Sequence, residues 1–399
     1  MTLALIAGGG LAGPIAAMAL RKAGIDATVY EAYDRTADGV GAFLTLATNG
    51  LAGLRTLGLH KVVRELGFDT PSMSIGMNGK TFAVFDFGEP LLDGTVTQTI
   101  RRADLYTALR DEAVRRGVRI EYGKRLANAK SNPGGVTATF TDGTTAHGDL
   151  LIGADGLRST TRTIIDPAAP RPRYVPLLNA GGYARGLKLD AEPGRMHMVF
   201  GRECFYAYAV HPSGDVWWFA NPRQPDELSQ AQLAEIPWRE KLLGLFTNEN
   251  GPAVDLITAT DDIFAGWNTY DFPTVPIWHR NRLAIIGDAA HATSPASGQG
   301  ASMAIEDALT LAKCLRDIKD IPSAFAEYES QRRPRVERVV KQGKRNGDGK
   351  TLGPVMRHVL PLFFKLYKPN AKNTRWLYEH RITWQDNDLR AITTTPNES

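Results

Sequence analysis

Leu3-Ala4-Leu5-Ile6-Ala7-Gly8-Gly9-Gly10-Leu11-Ala12-Gly13-Pro14 opens the chain with an apolar run that ends on a glycine cluster. The run predicts a short buried strand, and the Ala-rich stretch after Gly13 predicts a helix. Gly8, Gly10 and Gly13 match G-x-G-x-x-G between the two. At that spacing the first glycine permits a tight turn and the second lets a pyrophosphate approach the backbone. The third brings helix and strand close together. The helix then points its free N–H groups at phosphate. Residues 27–30 predict a second strand, and Glu31 follows it, where a carboxylate can hydrogen-bond a ribose hydroxyl. A glycine trio alone is a weak signal; strand, helix and Glu31 together point to a dinucleotide cradle.

Two later segments repeat the theme of a buried strand running into glycines. Leu150-Leu151-Ile152 leads into Gly153-Ala154-Asp155-Gly156-Leu157-Arg158-Ser159. Residues 283–286 lead into Gly287-Asp288-Ala289-Ala290-His291, and Pro295-Ala296-Ser297-Gly298-Gln299-Gly300 then opens a helical stretch over 300–316. A carboxylate on a glycine turn at a strand's carboxyl end, such as Asp288, can bond a ligand hydroxyl or cap the helix that follows. Arg102-Ala103-Asp104-Leu105 starts another helical stretch over 102–116. A cation at a helix start opposes the helix dipole, which favours a functional reason for Arg102.

In this order the three motifs resemble the class A flavoprotein aromatic hydroxylases, the para-hydroxybenzoate hydroxylase-like monooxygenases, over residues 1–340. The resemblance implies an α/β fold: a discontinuous Rossmann-like FAD-binding domain, an inserted antiparallel-sheet substrate domain and C-terminal helices. The expected boundaries are 1–174 and 276–320 for the two parts of the FAD-binding domain, 175–275 for the substrate sheet and 321–399 for the helical region. It implies FAD held by Gly8, Gly10, Leu11, Ala12, Gly13, Glu31, Ala32, Arg102, Leu126, Asp155, Asp288, Gly298, Gly300 and Ala301. Arg102 would reach the pyrophosphate region and Asp288 the ribityl chain. Gly41-Ala42 and Asn49-Gly50 resemble the segment that lines the flavin, and His291 and Arg335 read as structural.

The implied activity is NAD(P)H-driven insertion of one oxygen atom from O2 into a small aromatic or polyketide-like substrate, through a flavin C4a-hydroperoxide. With one G-x-G-x-x-G, NADPH or NADH would bind transiently. An FAD-dependent dehydrogenase or reductase on the same fold is the alternative. Hydroxylation, epoxidation and Baeyer–Villiger insertion stay open, as do the substrate and any catalytic acid or base.

Composition narrows the remaining classes. Among 399 residues, Lys plus Arg exceeds Asp plus Glu by 47 − 43 = 4, with no basic block that would suggest nucleic acid. Two cysteines in no metal-ligand spacing suit a reducing cytoplasm. No metal cluster or nucleophilic triad is evident. No apolar run is long enough to span a membrane; the run 355–367 reads as a packed helix. A monomer or homodimer is expected.

Residues 175–275 are β-rich and aromatic, as a sheet covering a pocket would be. Strand alternation puts Tyr206 and Tyr208 on one face and Phe205, Ala207 and Ala209 on the other. The pocket candidates are Arg185, Tyr206, Tyr208, His211, Trp217, Trp218 and Asn221, of which Arg185, Tyr206, Tyr208 and Trp218 are taken as the substrate-binding residues.

Overall fold

The structure, a computed structural model, describes residues 2–34, 42–350, 359 and 374–385. Gly41, most of the run 355–367 and the polar tail from Asp386 lie outside them.

Leu3–Ala7 is the pivot of a six-stranded sheet. It pairs in parallel with Leu150–Gly153 on one side and Asp26–Tyr30 on the other. Leu283–Ile285 continues the sheet in parallel beyond Leu150–Gly153, and Arg119–Glu121 beyond Asp26–Tyr30. His279–Arg280 closes one edge in antiparallel. Ala4, Leu5, Ile6, Leu150, Leu151 and Ile152 are essentially inaccessible, as parallel strands between covering layers must be. Ala12–Lys22 packs against Gly300–Asp317, which in turn packs against Ile321–Asp348.

This strand order decides where the motifs meet. Adjacent carboxyl ends belong to Leu283–Ile285, Leu150–Gly153, Leu3–Ala7 and Asp26–Tyr30. The loops that leave them carry Asp288, Asp155, the Gly8–Gly13 cluster and Glu31. Segments far apart in sequence therefore line one edge of one sheet, where open α/β sheets bind ligands.

The second large sheet has seven strands, in the order Phe264–Asp271, Arg173–Ala184, Val216–Pro222, Cys204–Val210, Arg195–Phe200, Ser72–Met77 and Lys80–Asp86. It differs from the expected insertion in two ways. Its last two strands come from residues 72–86, inside the stretch expected to belong to the nucleotide fold. One pair, Arg195–Phe200 with Ser72–Met77, is parallel. The recruited strands form a hairpin turned by Asn78-Gly79, both with positive φ (52° and 74°), the conformation such two-residue turns require.

The two faces of this sheet bury different cores. Phe205, Ala207, Ala209 and Trp217, with Tyr183 and Phe219 packed on them, join the core of the nucleotide-binding part. Tyr206, Trp218, Ala220, Leu178 and Ala180 form a second core with Trp238, Leu242 and Phe246 of Trp238–Phe246 and with Leu256 and Ile257 of Ala253–Thr258.

Two three-stranded sheets complete the β-structure of the described residues. One is the meander Leu126–Asn132, Gly135–Phe140 and Thr145–Gly148. The other joins Phe43–Leu46, Gln98–Arg101 and Gly67–Asp69.

Candidate flavin site and pocket

The first loop is sterically committed to glycine. Gly8 has φ +107°, and a Cβ there would lie 2.3 Å from the Ala154 carbonyl oxygen. A Cβ on Gly13 would lie 2.0 Å from the Gly8 carbonyl oxygen. Gly10 is different: it is exposed, and nothing among the described residues lies within 4 Å of where its Cβ would be. Protein packing therefore does not demand glycine at this position, whereas close approach of a ligand pyrophosphate to the backbone does. Leu11 and Ala12 are buried at the start of Ala12–Lys22. The Glu31 carboxylate accepts hydrogen bonds from the Gly9 N–H at 2.6 Å and the Tyr33 N–H at 3.0 Å, and so shapes the cradle from the next strand; Ala32 is half-buried beside it.

The middle motif supports the first from behind. The Asp155 carboxylate accepts from the Ser159 hydroxyl at 2.5 Å and from the Thr161 N–H and hydroxyl at 2.9 and 3.0 Å. Its side chain therefore fixes the turn, while the neighbouring Ala154–Asp155 backbone abuts Gly8. Arg162, buried above the Phe272 ring, donates to the Leu157 and Ala289 carbonyls and so ties the middle motif to the late one. Leu126 is buried where its strand begins, opposite Phe140.

Asp288 begins a four-residue helix whose N-cap, Gly287, has φ +58° and receives no side-chain cap. Of the two roles open to Asp288, capping is not used. Its carboxylate is exposed, makes no hydrogen bond among the described residues and acts electrostatically on Arg102 across the site. Arg102 itself is exposed, with its Nε donating to the Tyr106 hydroxyl at 2.8 Å.

The late loop ends at the amino end of Gly300–Asp317. Gly298 is left-handed (φ +61°) with open space beside it, and a Cβ on Gly300 would make only ordinary contact. Ala301 is half-buried in the first turn. Gln299 is completely buried, yet among the described residues its Nε2 has no partner, and neither has the buried Ser302 hydroxyl. Orphaned polar atoms beside free helix N–H groups suit the polar edge of a bound ring. The donors, the glycine clearances and the free Asp288 carboxylate all fit FAD.

Beneath this loop lies a charged network that the sequence reading did not find. Asn49 Nδ2 donates to Gln299 Oε1 at 2.8 Å and to Glu306 at 2.7 Å. Glu306 also accepts from Arg332 at 2.6 Å and, through two bonds of 2.8 Å, from Arg335. Asp307 accepts from Arg332, from the Gly287 N–H and from His291. Burial alone would raise the Glu306 carboxyl, but Arg332 and Arg335 outweigh it and hold it at about 2. Asp307 likewise stays well below the usual carboxylate range, with His291 and Arg332 overcoming burial. Spacing in the long helices gave no hint of which charges would point inward.

On the sheet side, the structure puts the four expected substrate contacts away from the flavin edge. Arg185 is exposed just past Arg173–Ala184. Tyr206 and Trp218 face the covering helices, and the Trp218 indole donates to Thr260 at 2.8 Å. Tyr208 lies on the same side, stacked on His197 with centroids 4.7 Å apart. The opposite face carries Phe205, Trp217, Phe219 and Asn221. Phe43 packs on Trp217 and Phe219, and the Arg101 guanidinium lies over Tyr183 and Trp217 at 4.7 and 5.2 Å. Alternation had separated the two faces; what it lacked was which one the nucleotide part would cover.

No helix among the described residues is long and apolar enough to cross a membrane. A family model described as an FAD binding domain matches residues 1–343. The FAD-dependent urate hydroxylase of Klebsiella pneumoniae is 31% identical over 351 residues, covering 86% of this chain and 89% of its own. The aurachin C monooxygenase/isomerase of Stigmatella aurantiaca is 30% identical over 354 residues, covering 86% and 88%. HpxO of Klebsiella pneumoniae, solved with FAD and uric acid, superposes with a TM-score of 0.80 at 27% identity, covering 93% of this chain and 94% of its own. The chain belongs to the FAD-binding-domain family and is an FAD-dependent oxidoreductase of the class A flavoprotein monooxygenase type.

Proposed function

We propose that this protein uses NAD(P)H and O2 to insert one oxygen atom into a small, flat aromatic or polyketide-like substrate. The observation that carries the reading is that a glycine-lined strand edge and an aromatic face of the seven-stranded sheet belong to one continuous core. When bound, FAD supplies the electron store that takes hydride from NAD(P)H and activates O2 for transfer.

The chain's own residues supply binding and shelter. Gly8, Gly10 and Gly13, with Leu11 and Ala12, would offer backbone to the pyrophosphate at the amino end of Ala12–Lys22. Glu31 and Ala32 would flank the ribose, and a carboxylate there disfavours a 2′-phosphate. Leu126 would close the nucleotide end. Asp155 would hold its turn against Gly8, Arg102 would meet the pyrophosphate charge, and Asp288 would bond the ribityl hydroxyls. Gly298, Gly300 and Ala301 would set free N–H groups under the negative edge of the reduced ring. Phe205, Trp217 and Phe219 would present an apolar wall that excludes water from the reacting space. Relatives named urate hydroxylase support a substrate of about one or two fused rings. The cytoplasm fits as the location, since it supplies NAD(P)H and keeps Cys204 and Cys314 as the free thiols seen here.

The test is labelled oxygen. FAD-loaded protein with NADH or NADPH would be given ¹⁸O2 and a panel of aromatic acids and purines, including uric acid and salicylate. One ¹⁸O atom per product molecule is expected for at least one compound. Hydrogen peroxide alone under every condition, or substrate oxidised without label, would instead indicate an oxidase or dehydrogenase.

A further inference from the structure

Lys350 lies just past the end of Ile321–Asp348, where that helix runs along the flavin loop. Asn346 donates to the Ala296 carbonyl at 3.0 Å, and Gly343 and Gly347 pass close to Thr293, Ser294 and Ser297. The helix thus delivers Lys350 from the cofactor side onto the inward face of the seven-stranded sheet. There its Nζ donates to Asn221 Oδ1 at 2.6 Å and lies 4.4 Å from the Phe205 ring centroid and 5.4 Å from that of Phe219. Asn221 is held in turn by the Leu178 carbonyl and by Asn179, which bonds Thr269, so a polar chain crosses three strands behind the ammonium.

Among the described residues the ammonium, with three donors, has one hydrogen-bond acceptor and no carboxylate partner. Desolvation pulls its pKa down to about 7, with only the Cys204 thiol pulling the other way. The lysine is half-buried, and its ammonium lies over two rings of the face read above as the pocket wall.

We propose that Lys350 is the anion-recognising end of the substrate pocket, taking a flat aromatic anion (a carboxylate, phenolate or enolate) against Phe205 and Phe219. This rests on the reading that the inward sheet face binds substrate. Two further N–H groups would donate to the anion's oxygens, and the rings would stack on its plane. The substrate class is thereby narrowed from flat aromatics to acidic ones.

The experiment compares FAD-loaded wild type with Lys350→Met and Lys350→Gln. Each is titrated with salicylate, urate and the neutral salicylamide, with the flavin absorbance change as readout and FAD content measured on the same samples. Both variants should keep FAD and bind the anions at least about tenfold more weakly, the size of a lost charge-assisted hydrogen bond. Salicylamide binding should stay within about twofold. Equal weakening of anions and amide, unchanged anion binding, or no anion binding to the wild type would overturn the proposal. So would loss of FAD from both variants, which would make Lys350 a structural group. Loss of FAD from the wild type itself would instead undo the reading of the cofactor site.

Discussion

The flavin edge of the six-stranded sheet and the inward face of the seven-stranded sheet, the two surfaces proposed to meet the substrate, are built from different material. The first is backbone: glycines, of which Gly8 and Gly13 have the place of a Cβ taken by a neighbouring carbonyl, N–H groups at helix ends, and carboxylates set on turns. The second is side chain: Phe205, Trp217, Phe219 and Asn221 standing off regular strands. A backbone site tolerates almost no substitution, because the offending atom is the first one any residue adds. A side-chain surface can be repacked, since volume-conserving exchanges on a sheet cost little. The cofactor half is therefore fixed in its sequence pattern, and the substrate half is free to vary.

The strongest attempt to break this contrast is Gly13→Val. The added Cβ would fall 2.0 Å from a carbonyl oxygen that cannot retreat, and FAD retention should be abolished; purification of a yellow Gly13→Val protein would refute the steric argument. Next in size is Glu306→Gln, below the flavin loop. It weakens the pairing of Arg332 and Arg335 inside the protein, and breaking such a buried pair costs about 3–5 kcal/mol. The same carboxylate makes the wild type acid-sensitive. Its folded pKa, about 2, lies below the ordinary 4.5, so its stabilisation is complete above pH 4.5 and is lost as pH falls toward 2. Urea midpoints across that window should drop for wild type and drop less steeply for Glu306→Gln.

Asp288→Ala is a milder cut on the cofactor side. Its carboxylate has no protein hydrogen bond to lose, so stability should hold while FAD affinity falls about 10–100-fold, the worth of one or two charge-assisted bonds; equal FAD affinity would remove that residue from the site. The smallest effect is expected on the far side of the substrate sheet. The buried Tyr206 hydroxyl has no partner, so Tyr206→Phe should leave turnover unchanged and stability equal or slightly higher. A large change in KM would mean that the two faces are not as separate as their cores indicate.

The same contrast explains what could be read in advance. Gly8, Gly153, Asp155, Gly287 and Asp288 follow apolar strand runs. Glycine motifs are local, so the cofactor edge was legible. The hairpin Ser72–Asp86 went unread although Asn78-Gly79 marks its turn, and its partner strand Arg195–Phe200 is remote, so nothing local announces a parallel pairing. Tyr206 and Trp218 were preferred to Phe205 and Phe219 because periodicity divides a strand into two faces without saying which one meets the rest of the molecule. Lys350 and the Glu306–Arg332–Arg335 cluster depend on how two long helices dock, which is a tertiary fact.

The strand order of the nucleotide sheet also sets a timetable. Leu150–Gly153 leaves the ribosome with one partner, Leu3–Ala7, already made, while the other, Leu283–Ile285, follows only after residues 154–282. Until then an apolar strand with an unpaired edge must wait, and the loop bearing Asp288 does not yet exist. Arg332, which secures the floor of the site, is made later still. The nascent chain thus completes the larger part of its length before it can grip its cofactor, and during synthesis that bare edge is the place most in need of a chaperone.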